Sequence, residues 1–255
     1  MRIEGKTALV TGAAGGIGRA LVESLLEAGV ARVIASDLAG PALSDLARHG
    51  SGRVLPLALD VTDELAVAEA AIAFPDVDIL INCHGVAVQQ SYLEVASVQT
   101  LRREMDVNYW GQVLMCRAFA PVLARKGRAL VNFLTPLAYI TFPFVAPYCA
   151  SKAACRALTD AMRAELAEAG TLVLAVYPGS IDTPMMTNVA VPKSGPGVVA
   201  RAVVDGLRAD WQEVWAGAGA EDMRTMLRDD PESLFAAAAK QLRLSTINAA
   251  GAPVA

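Results

Sequence analysis

Thr7-Ala8-Leu9-Val10-Thr11-Gly12-Ala13-Ala14-Gly15-Gly16-Ile17-Gly18 is the stretch that decides the fold of this 255-residue chain. The run from Thr7 to Val10 reads as a short apolar strand, glycines follow, and a helical pattern runs from Arg19 to Ala28. Taken alone, a glycine-rich turn is often no more than a turn. Between a strand and a helix it is the context a phosphate site needs. Glycine lets the backbone approach a pyrophosphate, and the free N–H groups and dipole of the helix N-terminus attract its charge. The placement therefore predicts a dinucleotide site.

Working outward, the second strand, Arg32 to Ser36, ends in Asp37. An acid at this strand end accepts hydrogen bonds from the adenosine ribose hydroxyls and repels a 2′-phosphate, and Leu38-Ala39-Gly40 offers no cation for one. The expected cofactor is NAD rather than NADP. The competing reading of Asp37 is a turn or cap residue. Alternation continues with Arg53 to Leu59 extended, Thr62 to Phe74 helical and Val77 to Asn82 extended. A long helix is expected over Val98 to Arg125, a strand over Ala129 to Leu134, a helix over Tyr148 to Ala169 and a strand over Thr171 to Val176. Glu213 to Gly217 reads as a last strand, with helices over Met223 to Arg228 and Ser233 to Leu242. This order predicts an α/β fold with a doubly wound parallel sheet of about seven strands. Asp60 and Asn82 follow the third and fourth strands at the carboxyl edge, where such sheets bind ligands.

Composition agrees. The chain is 54% hydrophobic and 19% charged, which suits a sheet buried on both faces, and no composition break or repeat divides residues 1–255. A formal charge of −4 without a basic stripe argues against nucleic acid. Cys83, Cys116, Cys149 and Cys155 form no Cys-x-x-Cys pair and no metal-ligand spacing with the two histidines, so no metal is expected. Reduced thiols and the lack of a signal-peptide pattern after Met1-Arg2 point to the cytoplasm. Between Arg128 and Lys152 no charge occurs, but Asn132, Pro136, Pro143 and Pro147 interrupt the run and argue against a membrane span.

Tyr148-Cys149-Ala150-Ser151-Lys152 carries the candidate chemistry. On a helix the tyrosine and lysine lie one turn apart on one face. An ammonium beside a phenol favours the phenolate and lowers its pKa from about 10 towards the range of a working acid or base.

With these pieces in order, the chain resembles the short-chain dehydrogenase/reductase family in its compact form of roughly 250 residues, and a single Rossmann-type domain is what that resemblance implies. Thr11-Gly12-x-x-x-Gly16-Ile17-Gly18 is similar to the family's cofactor loop and Asp60-Val61-Thr62 to its adenine-side segment. Asn108, within Asn108-Tyr109-Trp110-Gly111, stands at the place of the family's helix asparagine. Tyr148-x-x-x-Lys152 and Pro178-Gly179-Ser180-Ile181-Asp182-Thr183-Pro184 follow in order, and the likeness covers about residues 5 to 190. The remainder, 191–255, holds a substrate-side loop, the last strand and the C-terminal helices. The resemblance implies that Tyr148 exchanges a proton with the substrate oxygen, while Lys152 lowers its pKa and holds the nicotinamide ribose. It further implies that Asn108 positions a relay water, that Thr183 and the Ile181 backbone contact the carboxamide, and that Asn82 and Gly85 line the adenosine side.

Three departures stand out. Thr135 occupies the position of the family's serine, thirteen residues before the tyrosine. It keeps the hydroxyl that orients the substrate, but its methyl restricts χ1, and Pro136 favours an extended backbone at Thr135. Asn82-Cys83-His84-Gly85 replaces the usual Asn-Asn-Ala-Gly; His84 reads as a structural hydrogen bonder before it reads as an acid or base. The tail lacks a Gly-Gly-bearing last strand, so a homodimer built on the helices near Asn108 and Tyr148 is expected and a tetramer is in doubt. Phe142, Phe144, Val145, Met185, Met186, Val189 and Val191 favour a hydrophobic alcohol or ketone, with Lys193 the lone cation among them. The expected function is hydride transfer between NAD(H) and a secondary alcohol or ketone. The alternative is a weak or inactive nucleotide-binding protein of the same fold that binds a partner or senses cofactor. An epimerase or dehydratase is disfavoured by the short chain and the glycine spacing.

Overall fold

The computed structural model describes residues 1–49 and 52–239. Strands β1 (Thr7–Thr11), β2 (Arg32–Asp37), β3 (Val54–Ala58), β4 (Ile79–Asn82), β5 (Ala129–Phe133), β6 (Leu172–Pro178) and β7 (Glu213–Ala216) form one sheet in the order β3-β2-β1-β4-β5-β6-β7. Every neighbouring pair is parallel. This is the seven-stranded doubly wound sheet expected from the sequence. The chain winds one way from β1 to β3, then restarts at β4 on the other side of β1, so a crevice opens at their carboxyl ends. The glycine loop leaves β1 there, and the Cys83-His84-Gly85 segment leaves β4.

Both faces of the sheet are covered, and successive strand residues go to opposite cores. Ala8, Val10, Val33, Ala35, Ile79, Ile81 and Val131 pack towards α1 (Gly16–Glu27), α2 (Pro41–His49) and α7 (Pro196–Arg208). Leu9, Ile34, Leu80 and Leu130 pack on the other side, against α3 (Glu64–Ala73), α5 (Gly111–Leu123) and α6 (Ala146–Glu165). That double burial explains why the strands read as nearly unbroken apolar runs. Among the described residues no helix is long and apolar enough to cross a membrane.

Three differences from the sequence expectation matter. The helix expected over Val98 to Arg125 is three pieces: α4 (Val98–Met105), a π-helical turn (Asp106–Trp110) and α5. Asn108 sits within the widened turn, a kind of feature that recurs at functional sites. Helices α2 and α7 were not expected; each opens on a proline, Pro41 or Pro196, in the first turn, where its missing N–H costs nothing. After β7, α8 (Ala220–Asp229) and a helical stretch over 231–239 follow; residues 240–242 of the last expected helix lie outside the described residues. Leu234 and Ala238 from this tail pack on Ile140 beside Leu137 and Phe142, so the tail backs the loop between β5 and α6.

Candidate active site

The glycine loop is held open by contacts that only glycine permits. Gly12 has φ +66, and a Cβ there would stand 2.8 Å from the His84 Cα; a Cβ at Gly18 would stand 2.0 Å from the Gly12 carbonyl oxygen. Gly16, Ile17 and Gly18 form the first turn of α1, whose leading N–H groups have no intrahelical acceptor. No side chain caps them, so an anion-binding end faces the crevice. Asp37 closes the loop from β2: its carboxylate accepts from the Ala14 N–H at 2.9 Å and from the Leu38 N–H at 2.8 Å. Each oxygen keeps a lone pair for a further donor. Asp60 accepts from the Thr62 N–H and hydroxyl, and these bonds hold its carboxyl below the usual range. Val61 is buried over Gly111, which ties this segment to the start of α5.

On the far side of the crevice, β6 ends in Pro178. The Gly179 N–H donates to the Ala216 carbonyl at 2.9 Å, and Ile181 is buried and bridges to Ser194. The Thr183 methyl lies over Gly16, where an added Cβ would fall 2.7 Å from it. The two halves of the expected cofactor cradle therefore meet at Gly16 and Thr183.

Asn82 sits deep in the fold. Its side chain is wholly buried and donates to the Asn132 Oδ1 at 2.9 Å; Asn132 in turn donates to the Thr159 hydroxyl at 3.0 Å. The pair ties β4, β5 and α6 together beneath the crevice. Gly85 lies instead beside the Asn108 Oδ1 and the Lys152 Nζ, 3.2 and 3.6 Å from where its Cβ would be.

Lys152 and Tyr148 lie on α6 as the spacing predicts. Lys152 is 3% exposed, its Nζ donates to the Phe133 carbonyl at 2.8 Å, and it stands 5.9 Å from the centre of the Tyr148 ring. The Asn108 side chain spends both its protons and one lone pair on structure. Its Oδ1 accepts from the Val86 N–H at 2.8 Å, and its Nδ2 donates to the Val86 carbonyl and to the Ser151 hydroxyl, both at 2.9 Å. Ser151 donates on to the Tyr148 carbonyl at 2.8 Å. The Asn108 carbonyl accepts from the Cys155 thiol at 3.0 Å. A role for Asn108 in holding water thus has to be shared with that thiol. Thr135 is buried with an extended backbone, φ −169 and ψ 155, as its proline neighbour required; its hydroxyl accepts from the Leu137 N–H at 3.3 Å and keeps its own proton to donate.

The expectation that Lys152 depresses the Tyr148 pKa is not met. Tyr148 keeps part of its surface open, yet the protein packed round it raises its pKa above the usual phenol value, and Cys155, Cys149, Glu104 and Cys83 add to the rise. Desolvation outweighs an ammonium that is turned towards Phe133. Tyr148 in this state is a phenol, the form that donates a proton. His84 is pushed down to about 3, first by burial and then by Lys152, and its Nδ1 lies 2.6 Å from the Thr11 hydroxyl. A neutral imidazole bonded into the glycine loop fits the structural reading of this histidine.

The short-chain dehydrogenase model matches residues 6–193, most of the chain. The chain belongs to the short-chain dehydrogenase family. A 1-deoxy-11-beta-hydroxypentalenate dehydrogenase of Streptomyces avermitilis is 36% identical over 222 residues, spanning 83% of this chain and 82% of that one. An 11-beta-hydroxysteroid dehydrogenase-like protein of Arabidopsis thaliana is 32% identical over 80% of this chain and 61% of its own length. Among solved structures, a short chain dehydrogenase from Burkholderia cenocepacia in complex with NADP is 40% identical, with TM-score 0.87, over 93% of this chain and 99% of that one. As a short-chain dehydrogenase the chain is an oxidoreductase that uses a nicotinamide cofactor. The glycine geometry and the uncapped start of α1 fit that group. Sequence reading missed Glu104, Ser151 and Cys155, all of which bond or press on the site. Glu104 follows Arg102 and Arg103 and reads there as part of a solvated face, whereas it is 1% exposed.

Proposed function

We propose that this chain is an NAD(H)-dependent dehydrogenase for a hydrophobic secondary alcohol or its ketone, with Tyr148 as general acid and base. The observation that carries this reading is that Lys152, one turn after Tyr148 on α6, donates to the Phe133 carbonyl at the end of β5, two residues before Thr135, while Asn108 reaches the Tyr148 carbonyl through Ser151. A nicotinamide held there by the glycine loop, Lys152 and Thr183 would accept or supply the hydride. Tyr148 passes its phenol proton to the substrate oxygen in reduction and recovers it in oxidation. Thr135 donates its hydroxyl proton to that oxygen and orients it. Lys152 has two protons beyond the one given to Phe133, which suit a ribose hydroxyl, and its charge stabilises the phenolate once formed.

NAD is proposed over NADP on Asp37, whose carboxylate would meet a 2′-phosphate with no cation at Leu38 or Gly15 to offset it, although the Burkholderia relative holds NADP. A hydrophobic substrate is supported by Phe142 and Phe144, whose rings lie 5.9 Å apart, and by Lys193, the nearby cation, which is tied to the Met186 carbonyl at 2.6 Å. Relatives named for hydroxyl-bearing substrates agree with it. The free thiols suit a reducing, cytoplasmic setting, and a homodimer would pair through α4, α5 and α6, where Trp110 is exposed.

An NADH-fluorescence screen over alcohols and ketones, run on the wild type and on Tyr148→Phe, tests the reading. Turnover should vanish in the variant while NADH binding stays within a few-fold. Loss of binding would make Tyr148 a structural residue, and no turnover by the wild type would favour the cofactor-sensing alternative.

A further inference from the structure

Glu104 has no part in the reading above, yet it is a carboxylic acid 1% exposed, on α4, one helical turn before Asn108. Its Oε1 accepts from the Val88 N–H at 2.9 Å. Its Oε2 is buried without a hydrogen-bond partner among the described residues. Asn108, on the same face, binds both backbone groups of Val86 and reaches the Tyr148 carbonyl through Ser151. Two polar side chains one turn apart thus grip alternate residues of the segment that leaves β4, and one of the two grips is linked to the backbone of the proposed catalytic tyrosine. Beyond Val88 that segment forms the substrate side of the crevice: Gln89 donates from Nε2 to the Met185 carbonyl at 2.8 Å across it, and Tyr92 and Leu93 are exposed at its rim.

We propose that Glu104 is a positioning residue: it fixes Val88 to α4, and with Asn108 it sets where the 86–93 wall stands relative to Tyr148. The assignment rests on the dehydrogenase reading for its functional half and on the hydrogen bonds alone for its structural half. Burial pushes the Glu104 pKa up and the Val88 N–H offsets this only in part, with no cation contributing. A charge on Glu104 is felt at Tyr148, Tyr92 and Cys149, and in each case it opposes ionisation. A polar acid at such a position would be costly if its bond to Val88 did nothing, since an apolar side chain would bury there without an unpaired oxygen.

The full chain carrying Glu104→Gln or Glu104→Leu tests this. Glutamine keeps a neutral acceptor for Val88; leucine fills similar space and removes it. Amide hydrogen exchange over residues 85–97 should match the wild type within about two-fold in Glu104→Gln and be about ten-fold faster at Val88 in Glu104→Leu. With a substrate from the screen, KM should rise about ten-fold in Glu104→Leu, with kcat and the KM for NADH little changed, and Glu104→Gln should stay within about three-fold throughout. Unchanged exchange in Glu104→Leu overturns the proposal, as does a Glu104→Gln that behaves like leucine. Faster exchange with unaltered kinetics overturns the positioning role. If no substrate turns over in the wild type, it is the dehydrogenase reading that fails, while exchange still decides whether Glu104 holds Val88.

Discussion

Replacing Asn108 probes the link between the crevice wall and the tyrosine helix. Asn108→Ala removes the bond from the Val86 N–H, the bond to the Val86 carbonyl and the bond to Ser151. At about 1 kcal/mol net for each neutral hydrogen bond, the loss is about 3 kcal/mol. For a domain of this size about 1 kcal/mol moves Tm by roughly 2–4 °C, so the variant should melt roughly 6–12 °C lower. Asn108→Asp separates hydrogen bonding from packing. The introduced carboxylate still accepts from the Val86 N–H, but it cannot donate to Ser151 and it confronts the Val86 carbonyl. At pH 7 it should be at least as unstable as the alanine variant. The carboxylate is the form that the Val86 carbonyl opposes, so the aspartate variant should gain on the alanine variant as pH falls from 7 towards the free aspartate value of about 4. Calorimetric melts of both across that range, with exchange over 85–97, measure this. A Tm for Asn108→Ala within about 2 °C of wild type, or parallel pH curves for the two variants, would refute the staple.

Asp37→Ala should relax the preference for NAD, read as the ratio of kcat/KM for NADH and NADPH; equal use of both by the wild type would remove the argument from Asp37. Thr135→Ser keeps the hydroxyl and frees χ1, so activity should hold or rise, whereas a large fall would mean that the site is shaped round the methyl. His84, depressed to about 3 from the ordinary imidazole value of about 6.5, stabilises the fold above pH 6.5 and loses that contribution as pH falls towards 3. Urea titrations should show the wild type losing about 1.4 kcal/mol per pH unit more than His84→Ala below pH 6.5, and equal slopes would show the imidazole to be accessible in the fold.

The sheet and the cofactor side were legible because their signals are local. A strand buried on both faces must be apolar throughout, and a backbone so near His84 that a Cβ at Gly12 would stand 2.8 Å from its Cα must lack a side chain, so sequence and geometry state the same fact. The α7 helix was legible in principle and missed: Val199, Val203 and Leu207 recur at helical spacing after Pro196 and are all buried against the sheet. The π-turn at Asn108 left no such trace, because a widened turn is set by what the side chains grip rather than by their periodicity.

The Tyr148 pKa shows where local reasoning stops. A lysine one turn away predicts a lowered value, and that prediction needs the ammonium to face the ring across a polar gap. The fold instead turns Lys152 towards the Phe133 carbonyl and surrounds the phenol with thiols and the buried acid Glu104. None of these neighbours is adjacent in sequence except Cys149, so desolvation could not be weighed against charge until the packing of α4 on α6 was known. The same packing gives the raised value a use. A phenol that resists ionisation retains the proton that ketone reduction consumes. In the proposed reaction the Lys152 ammonium would favour the phenolate for the reverse step.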